Sequence, residues 1–221
     1  GLLPIVIIAP YDTHIVLEGS EARRNFVDNT LSQLDEAYLQ QLIVYNKVLN
    51  LRNTTLKQFA ENHTFNAELL QAYDQQLISP GEVIHARRAD FLSEFKPLFL
   101  NYYALVSGSQ EEVDYSYTSK LNDADFSILL AEAREKDRIL QRSTVGVHKD
   151  EVQFMIDEQP VKRFASQGQL KSFVLALKLA QYDILKAHKQ VHPILLLDDI
   201  FDKLDNRRVE HLLKLLIEHR S

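Results

Sequence analysis

Ser166-Gln167-Gly168-Gln169 heads a long amphipathic stretch that gives way to Leu195-Leu196-Leu197-Asp198-Asp199. This order of turn, helix and acid-tipped apolar run does most to narrow what the chain can fold into. A turn with Ser and Gly at the start of a helix directs several backbone N–H groups outward at one place, which suits an anion and phosphate above all. The apolar run is short and bounded, as a buried strand is. Two carboxylates at the tip of such a strand can present Mg²⁺ and a water.

Composition agrees with a helix-rich α/β protein. The 221 residues include only six glycines and six prolines, which favours long regular helices over a loop-rich β architecture. With 45% hydrophobic and 25% charged residues the chain has an ordinary globular composition. It has no cysteine, so disulfides and thiolate metal sites are excluded. No apolar run is long enough to span a bilayer. Gly1 to Ile8 lacks a basic leader region and a small-residue cleavage site, so it is expected to be a buried strand, and the chain intracellular. The net charge of −6 does not advertise nucleic-acid binding. Arg23-Arg24, Arg87-Arg88, Lys162-Arg163 and Arg207-Arg208 fit solvated faces or ion pairs better than phosphate clamps.

Along the chain, Ile5 to Ala9 forms an opening strand that ends at Pro10, and Ser20 caps a helix. Leu31, Leu34, Tyr38, Leu42, Tyr45, Leu49, Leu56 and Phe59 fall at helical spacing. One long helix follows from that, packed within its own domain, since sustained heptads with flanking charges are missing. A second helical stretch runs from about Asn66 to Val106, interrupted at Ser79-Pro80-Gly81, with a kink or restart at Pro97. Glu111 to Ser119 alternates as a strand, and Asp125 to Leu140 is helical. Thr144 to His148 and Val152 to Ile156 form two strands around Lys149-Asp150, with a turn at Glu158-Gln159-Pro160. A helix runs from Gln167 to about His188, and Pro193 to Leu197 forms a fully buried strand. Asp205 or Asn206 caps a last helix with Val209, Leu212, Leu213 and Leu216 on its core face. Three parts follow: a strand and loop over 1–19, a mainly helical lobe over 20–140, and an α/β part over 141–221.

The spacing suggests chemistry. A helix of some twenty residues is about 30 Å long, and the returning strand is about 20 Å. If the two are antiparallel, the Ser166 turn projects past the aspartates and can meet a nucleotide held by another subunit. Asp198 would hold Mg²⁺. Asp199 would orient or deprotonate the attacking water. Ser166 and Gly168 would donate hydrogen bonds to the γ-phosphate, with Gly168 allowing close approach. Asp205 could face the dimer seam. No GxxxxGK[ST] phosphate loop occurs in the sequence. His148 is expected to be structural, and His188, His192, His211 and His219 lack the spacing of a zinc site.

Ala9-Pro10-Tyr11-Asp12, Gly19-Ser20 with Arg23-Arg24, Phe26 and Asp28, Tyr45 to Asn53, Gly146 to Asp150, Ser166 to Gln169 and Leu195 to Asp205 together resemble the RecF/SMC-like group of ABC ATPases. The resemblance implies a partial P-loop NTPase fold, with residues 20–140 as its helical second lobe. Ser166, Gln167, Gly168 and Gln169 take the place of the ABC signature, acting in trans on a nucleotide. Asp198 and Asp199 take the place of Walker B, and Leu204-Asp205 that of the D-loop. ATP and Mg²⁺ are the implied cofactors. The implied activity is that of an ATP-dependent homodimer that binds DNA at single-strand/double-strand junctions in the cytoplasm. The group acts with RecO and RecR to load a recombinase at gaps, in replication, repair and the SOS response. The missing phosphate loop implies a fragment of a longer protein, which by itself binds ATP negligibly and leaves the Pro193–Leu197 strand short of neighbours. Rival readings are another SMC-like ABC ATPase with a short arm, or a non-hydrolysing helical adaptor on an ATPase-like core.

Overall fold

The computed structural model describes residues 3–108 and 111–198. In chain order the strands are β1 (Ile5–Ile8), β2 (Val113–Thr118), β3 (Glu151–Ile156), β4 (Gln159–Pro160) and β5 (Ile194–Leu197). The helices are α1 (His14–Leu17), α2 (Ser20–Leu34), α3 (Glu36–Glu61), α4 (Ala67–Ser107), α5 (Phe126–Leu140), α6 (Val161–Phe164) and α7 (Gln167–Lys189). The described chain forms two compact units. One takes residues up to 34, 91–116 and from 152 onward, and the other 35–90 and 117–151.

In the first unit β1 and β5 pair in parallel, with Ile5 opposite Ile194 and Ile8 opposite Leu197. Strand side chains alternate between faces, so Val6 and Ile8 are buried while Ile5, Ile7, Ile194 and Leu196 are exposed. β1 is therefore buried on one face only, and the strand at 194–197 is not the fully buried one that its apolar run suggested. Among the described residues it has one strand neighbour, β1, and one covered face. Helix α7 packs on β1 and α2 and buries Leu170, Phe173, Leu177, Ile184 and Leu185. Gln181 Nε2 donates to Thr30 Oγ1 at 2.9 Å, which satisfies two buried polar groups at once. Strands β2, β3 and β4 form a second sheet in that order. From it Tyr115 and Phe154 meet Phe99 and Phe173; the Phe99–Phe173 centroids are 4.8 Å apart and the Phe154–Phe173 centroids 5.0 Å. Such tilted rings add to their burial energy.

Three expectations change in the helical region. The run from Leu31 to Phe59 is two helices rather than one. Asp35 adopts an extended backbone, and its carboxylate accepts from Ala37 N at 2.9 Å and Tyr38 N at 3.2 Å, so it caps α3. The Ser79-Pro80-Gly81 interruption and the Pro97 restart are absent, because α4 runs unbroken from Ala67 to Ser107. A proline removes one backbone bond, and tertiary packing of a long helix can outweigh that loss. Gly81 supplies such packing within the second unit. A Cβ there would lie 2.5 Å from Phe126 Cε1, so the missing side chain lets α5 approach.

Residues 144–148 do not form a strand. Val147 to Lys149 make a single 3-10 turn, entered through Gly146 at φ +121, a region that favours glycine. Side chains hold this segment in place of a sheet ladder. Arg52 is fully buried and binds Asp74 Oδ1 and Asp137 Oδ2, each at 2.7 Å, and Ser143 Oγ at 2.8 Å. Asp137 Oδ1 accepts from Thr144 N at 2.8 Å and from Thr144 Oγ1 at 2.6 Å. Arg88 Nη1 donates to Val147 O at 2.7 Å and Asp150 Oδ2 at 3.0 Å, and Tyr117 OH donates to the same Asp150 oxygen.

Replacing Arg52 by Met takes the cation from the buried Asp137 carboxylate and leaves Asp74 only its 3.4 Å contact with Arg134. Loss of one partner from a buried ion network costs about 3–5 kcal/mol. Urea unfolding of Arg52→Met is expected to show a loss of that size, and a change below about 1 kcal/mol would contradict the assignment.

Candidate functional site

The site begins where α7 begins. Phe173, one turn after Gln169, is fully buried in the aromatic cluster, which fixes the height and rotation of the helix start. Ser166 is the N-cap, with extended backbone. Its Oγ accepts from Gln169 N at 3.2 Å, and its own N–H donates to Gln169 Oε1 at 2.7 Å. This is a reciprocal capping box, and it commits two amides of the turn to internal bonds. Ser166 and Gln167 are exposed, and Gly168 and Gln169 half-buried. With Ser166 Oγ serving as an acceptor, its hydroxyl proton remains to donate outward. The positive end of a long helix macrodipole lies at the same point.

Asp198 follows β5 and is exposed, and its N–H donates to Ile8 O at 2.9 Å. Next to this, Asp12 closes the end of β1. Its Oδ2 accepts from Ala9 N at 2.8 Å, and its Oδ1 pairs with Lys178 Nζ at 3.1 Å. Lys178 thus marks the level on α7 that matches the tips of β1 and β5. It lies twelve residues after Ser166, and twelve residues of helix measure about 18 Å. The Ser166 turn therefore stands well beyond the strand tips.

Asp198 has the oxygen chemistry of an Mg²⁺ site, which needs one or two carboxylates and completes its shell with waters and phosphates. Asp199 and Asp205 lie outside the described residues. Among the described residues no group of three or more His, Asp or Glu is arranged to hold a metal ion. No described helix is long and apolar enough to cross a membrane.

His148 has a structural role in the second unit. Its Nε2 lies 3.2 Å from Ser143 O, which can only accept, and its Nδ1 lies 2.8 Å from Tyr45 OH. The neutral ring with its proton on Nε2 satisfies both bonds. Burial pushes the Tyr45 phenol above its ordinary range, so it stays a donor.

One residue near the turn went unmarked in the sequence. Gln169 Nε2 donates to Glu111 Oε1 at 3.2 Å, and Tyr103 OH donates to Glu111 Oε2 at 3.3 Å. Glu111 precedes β2 and is 58 residues from Gln169, a separation no local pattern can bridge.

No family model matches the chain. The DNA replication and repair protein RecF of Flavobacterium johnsoniae is 49% identical over 216 residues, which is 98% of this chain and 60% of that protein. RecF of Cytophaga hutchinsonii is 44% identical over 98% of the chain and 57% of its own length. A solved structure of the recombination mediator protein RecF–ATP in the RecFOR pathway superposes with a TM-score of 0.86. It is 29% identical and covers 97% of this chain and 59% of its own. A second RecF structure, with an ATP analogue, also gives 0.86. The chain is a relative of RecF over nearly all of its residues, with the helix-rich α/β fold of that protein. It spans about 60% of the length of the curated relatives it matches.

Ser166→Ala removes the acceptor of the Gln169 amide and is expected to cost about 0.5–2 kcal/mol, as N-cap losses do. Ser166→Asp keeps an N-cap acceptor and is expected to stay close to the parent in urea unfolding. Equal stability of all three proteins would show that the cap does not form.

Proposed function

We propose that this RecF-related chain carries the signature and Walker B side of an ATP-dependent DNA-binding protein of replication and recombinational repair. In this reading Ser166, Gln167, Gly168 and Gln169 face the γ-phosphate of an ATP held by a second copy. The capping box holds the turn, the Ser166 hydroxyl donates, and the helix terminus favours the negative charge. Asp198 holds Mg²⁺ and Asp199 orients the attacking water. Asp205 lies in the D-loop at the dimer seam. Mg²⁺ supplies neutralisation of charge on the phosphoryl oxygens.

The observation that carries this reading is the reach of α7. Its start stands about 18 Å of helix beyond Lys178, which is level with the strand tips. A turn so far past its own Asp198 serves a nucleotide bound elsewhere better than one bound at its own strand end. The names of the solved relatives, RecF with ATP in the RecFOR pathway, support ATP as the nucleotide and RecO and RecR as partners. Dimerisation on ATP, binding at single-strand/double-strand junctions and recombinase loading at gaps complete the proposal, with the cytoplasm as its place.

The test has two arms. Calorimetric titration of this chain with Mg-ATP is expected to show no submillimolar binding, since it holds no GxxxxGK[ST] loop. In a protein of the relatives' full length, Asp199→Asn is expected to lower DNA-stimulated ATP turnover by about 10²–10⁴-fold, the usual worth of a positioned base. Retained turnover would remove Asp199 from its role, and tight ATP binding by the chain alone would place the phosphate cradle elsewhere.

A further inference from the structure

The capping box contains an ambiguity that only a third residue can resolve. The Gln169 side-chain amide could sit either way round. In the observed orientation Oε1 takes the Ser166 N–H and Nε2 points to Glu111. Flipped, its NH₂ group would face the Ser166 N–H, donor against donor, and its oxygen would face the Glu111 carboxylate, acceptor against acceptor. Glu111 is itself fixed. Its second oxygen receives the hydroxyl of Tyr103, which is 1% exposed and packs on Phe173 and Phe99 with centroids 5.9 and 6.3 Å away. A line of contacts thus runs from the aromatic core through Tyr103, Glu111 and Gln169 to Ser166.

We propose that Glu111 is a positioning residue for the Ser166–Gln169 turn, its carboxylate holding the Gln169 amide in the orientation that closes the capping box. An ionised carboxylate only accepts, so it admits one orientation of the partner amide. The outward groups of the turn are thereby preset before any phosphate arrives, which is what a preorganised anion site requires. This inference rests on the signature reading for its functional meaning, though not for its geometry.

A consequence concerns which residue can stand at 169. Capping boxes in general use Glu or Gln at this position. Here Glu would bring two carboxylates together, so Glu111 selects Gln. The interaction is therefore reversible by exchange: with Gln at 111 and Glu at 169, the donor and acceptor trade places and the contact re-forms.

A double-mutant cycle tests this on the chain itself, read by residue-resolved amide hydrogen exchange of Ser166 and Gln169. Gln169→Glu alone is expected to speed exchange at Ser166 about tenfold, a coupling of about 1.4 kcal/mol, while amides of Leu177 and Ile184 stay near parent rates. Adding Glu111→Gln is expected to restore most of the protection. Glu111→Ala is expected to speed both amides of the turn. Rates at Ser166 that are indifferent to Glu111, or a double variant no better than Gln169→Glu, would overturn the proposal. In a full-length protein, Glu111→Ala is expected to lower kcat with little change in KM for ATP. Altered exchange with unaltered turnover would refute the signature reading and leave the positioning by Glu111 intact.

Discussion

Burial of Phe173 is the interaction on which the first unit and its candidate site both depend. The ring has no exposed surface and lies against Phe99, Tyr103 and Phe154. Truncating a buried Phe costs about 3–5 kcal/mol. Because the ring sits one turn after Gln169, the same packing that stabilises α7 fixes where its first turn stands. Fold stability and site geometry are set here by one side chain, and the capping box refines what it places.

The second unit is organised differently. Its fully buried Arg52 binds Asp74, Asp137 and Ser143, and Arg88 and Asp137 tie down the 143–150 segment. Buried ion networks contribute modestly to net stability, since desolvation opposes the Coulomb gain. Their bonds are directional, however, and they satisfy backbone groups that have no ladder. A loop without sheet partners can be held in one conformation this way.

Much of this was legible in the sequence. Helix α7 follows from its amphipathic spacing and from the Ser166–Gly168 turn that opens it, whereas the capping box within that turn was not read from the sequence. Strand β2 follows from alternation, β1 from a short apolar run that ends at Pro10, and α5 lies within the helix expected over 125–140. Errors arose where a distant contact outweighed a local signal. Ser79-Pro80-Gly81 looks like a break, yet Gly81 is a notch for Phe126, a residue of another helix. Val145 and Val147 alternate as in a strand and both are buried, but Arg88 takes the carbonyl that a neighbouring strand would use. The apolar register continues across Asp35, and only its capping bonds show that the helix ends there. The exposure of Ile194 and Leu196 depends on neighbours that a local pattern does not reveal. Glu111 gave no signal because its role comes from the fold.

The decisive measurement is ATP turnover by mixed dimers of a full-length protein, in which one copy carries Ser166→Arg and the other Asp199→Asn. If each nucleotide site combines the turn of one copy with the acids of its partner, the mixed dimer has one intact site and one doubly damaged site. It is then expected to keep roughly half the parent turnover, while each homodimer is inactive. If turn and acids of the same copy serve the same nucleotide, both sites of the mixed dimer are damaged. A mixed dimer as inactive as the homodimers would contradict the reading of the Ser166 turn as an edge of the partner's site.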